Sequence, residues 1–319
     1  METPLISIII INYNGKQFLQ NCIDSIYAGS YKNFEIILVD NNSSDDSLTL
    51  IHVNYPEVHV ISLEKNYGFA YPCNVGAKNA NGEFLMFLNN DTFVSKNWLE
   101  PLIETMNLDS DIAICQSLLL KEDNSVDSAG DFIDEFGRAF SSKKIPTSAS
   151  LILSGKGAAI LVRKKIFWNI GGFNELFFVS FEDVDLGWRS WIYGYKVMVV
   201  PESIVYHLGG STIKKMKDDV VFHGVKNTLL LRLFNFEFSL VLKSISILFF
   251  VSISRKIFRI KLIEDPEEVG PLPSFTIIFK GSFWILKNFF TIIKYRRQIN
   301  SKRVITTKQL RKMNLVKNH

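Results

Sequence analysis

Cysteine is scarce: Cys22, Cys73 and Cys115 are the only three in 319 residues. Their spacing matches no metal-binding pattern, and an odd count leaves no closed disulfide framework. Free thiols in a reducing compartment are therefore expected. No Gly-x-Gly-x-x-Gly follows the first apolar run, and no Gly-x-x-x-x-Gly-Lys occurs. These absences argue against a dinucleotide dehydrogenase and a P-loop nucleotidase. No basic segment precedes the apolar stretch at 6–11, which is too short for a signal-peptide core. A cytoplasmic location is the expectation. Long apolar runs are missing too. Residues 239–254 are apolar apart from Lys243 and several Ser, and fall short of the roughly 20 residues a spanning helix needs. No repeat or low-complexity tract is visible.

Apolar residues are plentiful, at 47% with 26 Phe, and mean hydropathy is +0.12. The chain can bury a large core, as one large domain with an appendage or as two domains. Its charge is uneven. Residues 1–210 hold 25 acidic and 15 basic side chains; the remainder holds 7 and 21. A basic C-terminal third suggests contact with an anionic surface. No nucleic-acid recognition motif accompanies the charge, so a membrane surface is favoured over nucleic acid.

Strand signals fall at 5–11, 34–39, 58–63 and 84–88, with helical spacing at 17–27 and 70–81 between them. Alternation of this kind means βαβ units and a parallel sheet. Later strands are expected at 113–120 and 197–200, the last closed by Pro201, with Gly155-Lys156-Gly157-Ala158-Ala159 leading into an apolar Ile160-Leu161-Val162 between them. Residues 127–145 read as loop. A helix opens at Glu182 and runs to about Tyr193. Its acids Glu182, Asp183 and Asp185 suit a first turn, where the helix dipole favours negative charge. Trp188 and Trp191 on it read as core.

The apolar run at 84–88 ends in Asn89-Asn90-Asp91. Strand 34–39 ends at Asp40, and Asn66 follows strand 58–63. Parallel strands place all three clusters on one sheet edge, where α/β proteins bind ligands. A carboxylate with amide neighbours there suits a hard divalent cation.

The order Asn12-Tyr13-Asn14, Val39-Asp40-Asn41, Asn66-Tyr67-Gly68-Phe69-Ala70 with Asn74, Asn89-Asn90-Asp91, Gly157-Ala158, Glu182-Asp183-x-Asp185 and His207 resembles the family 2 glycosyltransferases of GT-A fold. The likeness is to the bacterial rhamnosyltransferase-like branch and covers roughly residues 5–235. It implies a Rossmann-like mixed, mainly parallel sheet with helices on both faces. It also implies inverting transfer of a sugar, rhamnose first among the candidates, from a dTDP- or UDP-linked donor. The acceptor would be a hydroxyl of a lipid-linked glycan or polysaccharide of the bacterial surface. On that resemblance Asn12, Tyr13, Asn14, Asp40, Asn66, Gly68, Asn74, Asn89 and Asn90 belong to donor binding. Asp40 would take the nucleobase, and Tyr13 would stack on it. Asp91 and His207 would hold Mn²⁺ or Mg²⁺, with Asn89 standing where the family has its first Asp. Asp183 would be the general base. Glu182, Asp185, Arg189, Gly157 and Ala158 would support it or the acceptor.

Residues 1–236 thus read as a catalytic domain and 237–319 as a basic, apolar, helical and membrane-associated tail. Within the tail, 275–295 carries Lys280, Lys287 and Lys294 at spacings of seven. That spacing makes one basic stripe, which favours an interfacial helix over a spanning one. Arg296-Arg297 and Lys302-Arg303 would then face anionic lipid. Packing on the catalytic domain, or a homodimer through these helices, is the alternative. The rival functions are a sugar nucleotidyltransferase, and a non-catalytic nucleotide-sugar-binding protein, which Asn89 favours and an intact Glu182-Asp183 opposes.

Overall fold

The computed structural model describes residues 3–134, 137–209, 217–243, 246 and 275–317. The first half alternates as read: β1 (Ile6–Asn12), α1 (Lys16–Ala28), β2 (Phe34–Asp40), α2 (Ser47–Asn54), β3 (His59–Ser62), α3 (Ala70–Asn79) and β4 (Phe84–Asn89). Then follow β5 (Thr92–Val94), α4 (Glu100–Leu108), β6 (Ile112–Leu120), β7 (Val126–Ser128), β8 (Asp131–Asp134), β9 (Ala139–Ser141) and β10 (Ser150–Leu151). Next come β11 (Ala159–Arg163), α5 (Lys164–Asn169), α6 (Glu182–Ile192), β12 (Lys196–His207) and α7 (Lys217–Asn235). The described tail gives α8 (Phe275–Lys287), α9 (Phe289–Ser301), α10 (Thr307–Lys312) and β13 (Val316–Lys317).

The main sheet runs β10-β12-β6-β11-β4-β1-β2-β3. Strands β1 to β4 are parallel, β6 runs parallel to β12, and β11 is antiparallel to its neighbours β4 and β6. Alternate residues feed two cores. Ile9, Ile37, Val39, Leu85 and Phe87 point to one face, toward α3, α5, α6 and α7. Ile8, Ile10, Leu38, Met86 and Leu88 point to the other, toward α1, α2 and α4. Burial on both faces explains the continuous apolar runs. Trp188 and Trp191 are core, as read.

Two elements differ from the reading. β12 continues past Pro201 to His207, because its pairing with β6 shifts register between Val200 and Ile204. Such an irregularity tolerates a residue with no N–H. The stretch read as loop at 127–145 contains β7, β8 and β9, and β8 and β9 form a second small sheet with β13.

Beyond residue 236 the described segments pack against the rest. Ile292, Ile299, Leu310, Leu315 and Val316 join the core that holds Phe234 and Trp188. Arg296 donates to the carbonyls of Leu233 and Phe236, and Arg303 to that of Asn235. Both guanidiniums therefore cap the C-terminal end of α7, where unpaired carbonyls attract cations. That corrects the reading that sent them to lipid. The helix at 275–295 is broken at Asn288, whose Nδ2 donates to Trp284 O at 2.8 Å. Among the described residues no helix is long and apolar enough to cross a membrane. The stretch 239–254 lies largely outside the described residues.

Candidate active site

The carboxyl ends of β1, β2 and β4 lie side by side, with Asn12 opposite Asp40 and Ile11 opposite Asn89. At this edge opens a cleft of about 420 Å³. It brings together Tyr13, Asn66, Gly68, Asn89, Asn90, Asp91, Gly157, Ala158, Glu182, Asp183 and His207 from the sequence reading.

Other expected site residues do not line it. Asp40 is 2% exposed, and its oxygens accept from Asn12 Nδ2 (3.0 Å), Ser43 Oγ (2.6 Å) and Ser43 N (2.9 Å). These bonds hold the turn after β2 together, and Asp40 is not among the residues lining the cleft. Asn12 also accepts from Asn90 Nδ2 at 2.8 Å, and Asn14 Oδ1 accepts from Ser44 N at 2.7 Å. These residues set the floor behind the cleft. Asn74 exchanges bonds with the backbone of Phe173 at 2.9 Å both ways, away from the opening. Asp185 and Arg189 form a buried pair at 2.7 Å. Arg189 also donates to Ile170 O and Gly172 O, and Asp185 accepts from Asn235. They fix α6 in place.

Asp183 is half-buried at the start of α6. Its Oδ2 accepts from Gly157 N and its Oδ1 from Val184 N, both at 2.8 Å. Burial still raises its pKa above the usual carboxylate value, against those bonds. The next residue in the strip, Ala158, accepts from Asn89 N at 3.0 Å. The segment 157–158 thus ties the Asn-Asn-Asp turn to Asp183. The loop leading into α6 is strained: Phe178, Ser180 and Phe181 have φ of 61°, 70° and 69°. Non-glycine residues reach this region at a cost that the surroundings must offset. Asn227 of α7 does so, bonding the carbonyls of Phe177, Val179 and Ser180 at 2.7 Å each. Phe178 O accepts from Phe69 N, and a Cβ on Gly68 would lie 2.2 Å from that oxygen. Gly68, at φ +80°, is therefore a packing requirement of the loop as well as of its own turn.

The same cleft is lined by a pair whose donor atoms suit a cation. Asp91 Oδ1 and His207 Nε2 are 3.5 Å apart, and both residues line the cleft. His207 Nδ1 lies 2.8 Å from Asp127 Oδ2, and Lys156 Nζ lies 2.7 Å from the same oxygen. A carboxylate on Nδ1 holds that nitrogen's proton and leaves Nε2 to ligate, the arrangement of metal-binding histidines. One carboxylate oxygen and one imidazole nitrogen fit Mn²⁺ or Mg²⁺ with a ligand phosphate completing the shell. Without a cation, burial alone would depress the His207 pKa. The carboxylates of Asp127 and Asp91 outweigh burial and bring it to about 9.

Asp127, Asp131, Phe140 and Lys156 escaped the sequence reading. They sit on short strands or loops with no periodicity, and the partners of Asp127 are distant in the chain. Cys22, Cys73 and Cys115 are free and buried.

One cleft at a parallel-sheet edge thus holds the Asp91–His207 pair and a carboxylate of raised pKa, and comparison with known proteins gives the class of the chain. The family model for glycosyl transferase family 2 matches residues 7–171. The chain belongs to this family. It is 30% identical over 221 residues to the O-antigen biosynthesis protein RfbC of Myxococcus xanthus, covering 64% of this chain and 17% of that protein. It is 32% identical over 179 residues to an uncharacterized glycosyltransferase of Rickettsia typhi, covering 54% of each. The chain thus spans only part of the length of these curated relatives. Among solved structures, GalNAc-T7 with UDP, GalNAc and Mn²⁺ matches with TM-score 0.59 and 20% identity, over 72% of this chain and 47% of that one. The Pyrobaculum calidifontis mannosyltransferase PcManGT with GDP-Man and Mn²⁺ matches with TM-score 0.53 and 13% identity, over 94% and 86%. The shared architecture is the GT-A fold.

Proposed function

We propose that the protein is an inverting, divalent-metal-dependent glycosyltransferase using a nucleoside diphosphate sugar. The observation that carries this reading is Asp183, a half-buried carboxylate of raised pKa across one cleft from Asp91 and His207. Asp183 Oδ takes the proton of the acceptor hydroxyl as that oxygen attacks the anomeric carbon. The bond from that carbon to the diphosphate breaks, and the nucleoside diphosphate leaves with its electron pair. Asp91 and His207 would hold a divalent cation, which when bound would offset the charge gathering on the leaving group. The N–H of Gly157 holds Asp183 in place through the step. Tyr13, Asn66 and Gly68 also line the cleft and would take the nucleoside.

UDP and dTDP are the favoured carriers, and rhamnose the first sugar to try, on the motif likeness. The name of the Myxococcus relative supports an acceptor in surface-polysaccharide synthesis. The solved neighbours with UDP or GDP-Man and Mn²⁺ support the donor class and the cation. Incubation with a panel of UDP-, dTDP- and GDP-sugars and Mn²⁺, read by nucleoside diphosphate release, tests the reading. Release from at least one donor, abolished by chelation, is expected; no release from any refutes it.

The location proposed is the inner membrane face. Phe279, Phe283, Leu286 and Phe290 on α8 and α9 are 61% to 87% exposed. Exposed Lys280, Lys287 and Lys294 lie on the same helices. Apolar insertion flanked by lysines matches an anionic lipid surface.

A further inference from the structure

Two adjacent polar residues of α7 are buried: Lys226 is 2% exposed and Asn227 is fully covered. Both bond the loop that leads into α6. Leu176 O accepts from Lys226 Nζ at 2.6 Å, and the ring of Trp284 on α8 covers that ammonium at 4.5 Å. The carbonyls of Phe177, Val179 and Ser180 all accept from Asn227 Nδ2. Phe178 O goes instead to Phe69 N, and Phe181 O accepts from Asp185 N at 2.9 Å inside α6. Every carbonyl from 176 to 181 is thus engaged, and α7 takes all but two of them.

The chemistry at position 227 is specific to an amide. A carboxamide carries two N–H donors on one nitrogen, so three carbonyls around it share two hydrogens. A hydroxyl would bring one donor, and a carboxylate none. Asn227 Oδ1 is buried with no partner among the described residues. An acceptor left unpaired is a cost, so this side chain contributes through its donors.

The loop it holds is part of the cleft. Phe178, Val179, Ser180 and Phe181 all line it, next to Asp183. Three of these four have left-handed φ, and without the bonds to Asn227 that backbone would relax. Gly157 N fixes one oxygen of Asp183, but the main chain that carries Asp183 comes out of this loop two residues earlier. The donor side is held separately. Asn41 Nδ2 donates to Asn66 Oδ1 at 2.9 Å and to Gly68 O at 2.7 Å.

We infer that Asn227 is the positioning residue for the base: its amide hydrogens hold the 177–181 loop in the shape that sets the Asp183 carboxylate in the cleft. The inference rests on the glycosyltransferase reading, with Asp183 as the base. It assigns a role in turnover to α7, which contributes no residue to the cleft lining. A displacement of about 1 Å at a reacting group can cost about 10²-fold in rate.

The test is steady-state kinetics on the full chain, with whichever nucleotide sugar the parent consumes. Asn227→Ala should lower kcat about 10²-fold, while donor KM and UDP affinity stay within about threefold. Asn227→Ser keeps one donor and should fall between Ala and the parent. Leu102→Ala truncates the core on the other face of the sheet. It should lower the melting temperature and keep kcat per folded molecule within about twofold. The inference is overturned if Asn227→Ala folds and keeps the parent's kcat, or if Leu102→Ala loses kcat as steeply. Should the alanine variant fail to fold, Asn227→Ser decides on the same criterion. Failure of the broader reading looks different: the parent itself consumes no nucleotide sugar and binds neither UDP nor dTDP.

Discussion

His207 Nδ1 and Asp127 Oδ2 face each other at 2.8 Å. The contact joins the end of β12 to β7, eighty residues earlier in sequence, and sets which imidazole nitrogen turns to Asp91. Asp127 is itself held well below the usual carboxylate range: burial opposes this, but His207 and Lys156 prevail. It is a positioning residue, ionised and charge-matched.

Asp127→Asn should therefore weaken cation binding without touching the cleft. Loss of such an outer carboxylate commonly lowers metal affinity 10- to 100-fold. Calorimetric titration of Mn²⁺ in the presence of UDP measures it. UDP affinity without metal should stay unchanged. An Mn²⁺ affinity equal to the parent's would remove Asp127 from this role.

Asp131 supplies a pH prediction. Its folded pKa of about 7 lies above the roughly 3.9 of an unfolded Asp. Between those values the folded chain binds the proton more tightly, so stability falls as pH rises from about 4 to about 7. Asp131→Asn cannot ionise, and it keeps an oxygen for Ser141. It should melt about 2–4 °C or more above the parent at pH 8, and level with it near pH 4. Equal melting points at both pH values would count against the raised pKa.

Asp185 separates structure from chemistry within the same motif. Asp185→Ala strands Arg189 as a buried unpaired charge, a loss of about 3–5 kcal/mol. Urea unfolding measures this. Nucleotide affinity per folded molecule should be retained. A loss below about 1 kcal/mol would mean that Arg189 finds other acceptors.

Much of this was legible in the chain. Apolar runs ending in polar clusters located β1, β2 and β4 and the shared edge, because a doubly buried strand needs that composition. That Glu182, Asp183 and His207 would meet at one cleft was legible from the motif order. The placement of Asp40 and Asn74 off the cleft lining was not, since it follows from hydrogen bonds to Ser43 and Phe173 that a motif does not show. Asp127 and Asp131 were hidden for another reason. Strands of three or four residues carry no period, and β8 owes its place to Ser154 and to Val316. In the tail, the lysine spacing was visible but the break at Asn288 was not, because no Pro or Gly marks it in the chain.

The exposed stripe of α8 and α9 should bind vesicles of phosphatidylglycerol and phosphatidylethanolamine. The double substitution Phe283→Ser, Phe290→Ser should lower the cosedimented fraction several-fold, since each Phe forfeits about 1.5–3 kcal/mol of apolar transfer when fully buried. Salt at 0.5 M should release the parent only partly, as screening acts on the lysines alone. Equal sedimentation of parent and variant would move the contact elsewhere.

The most direct measurement pairs donor binding with donor consumption in Asp183→Asn. The amide keeps the size of the side chain and can still accept from Gly157 N. It cannot take a proton at neutral pH. With whichever nucleotide sugar the parent consumes, the variant should keep its nucleotide and Mn²⁺ affinity within about threefold, while transfer falls about 10²-fold or more. Near-normal turnover in a variant that binds donor would contradict the role of Asp183 as the base and, with it, the mechanism built on this cleft.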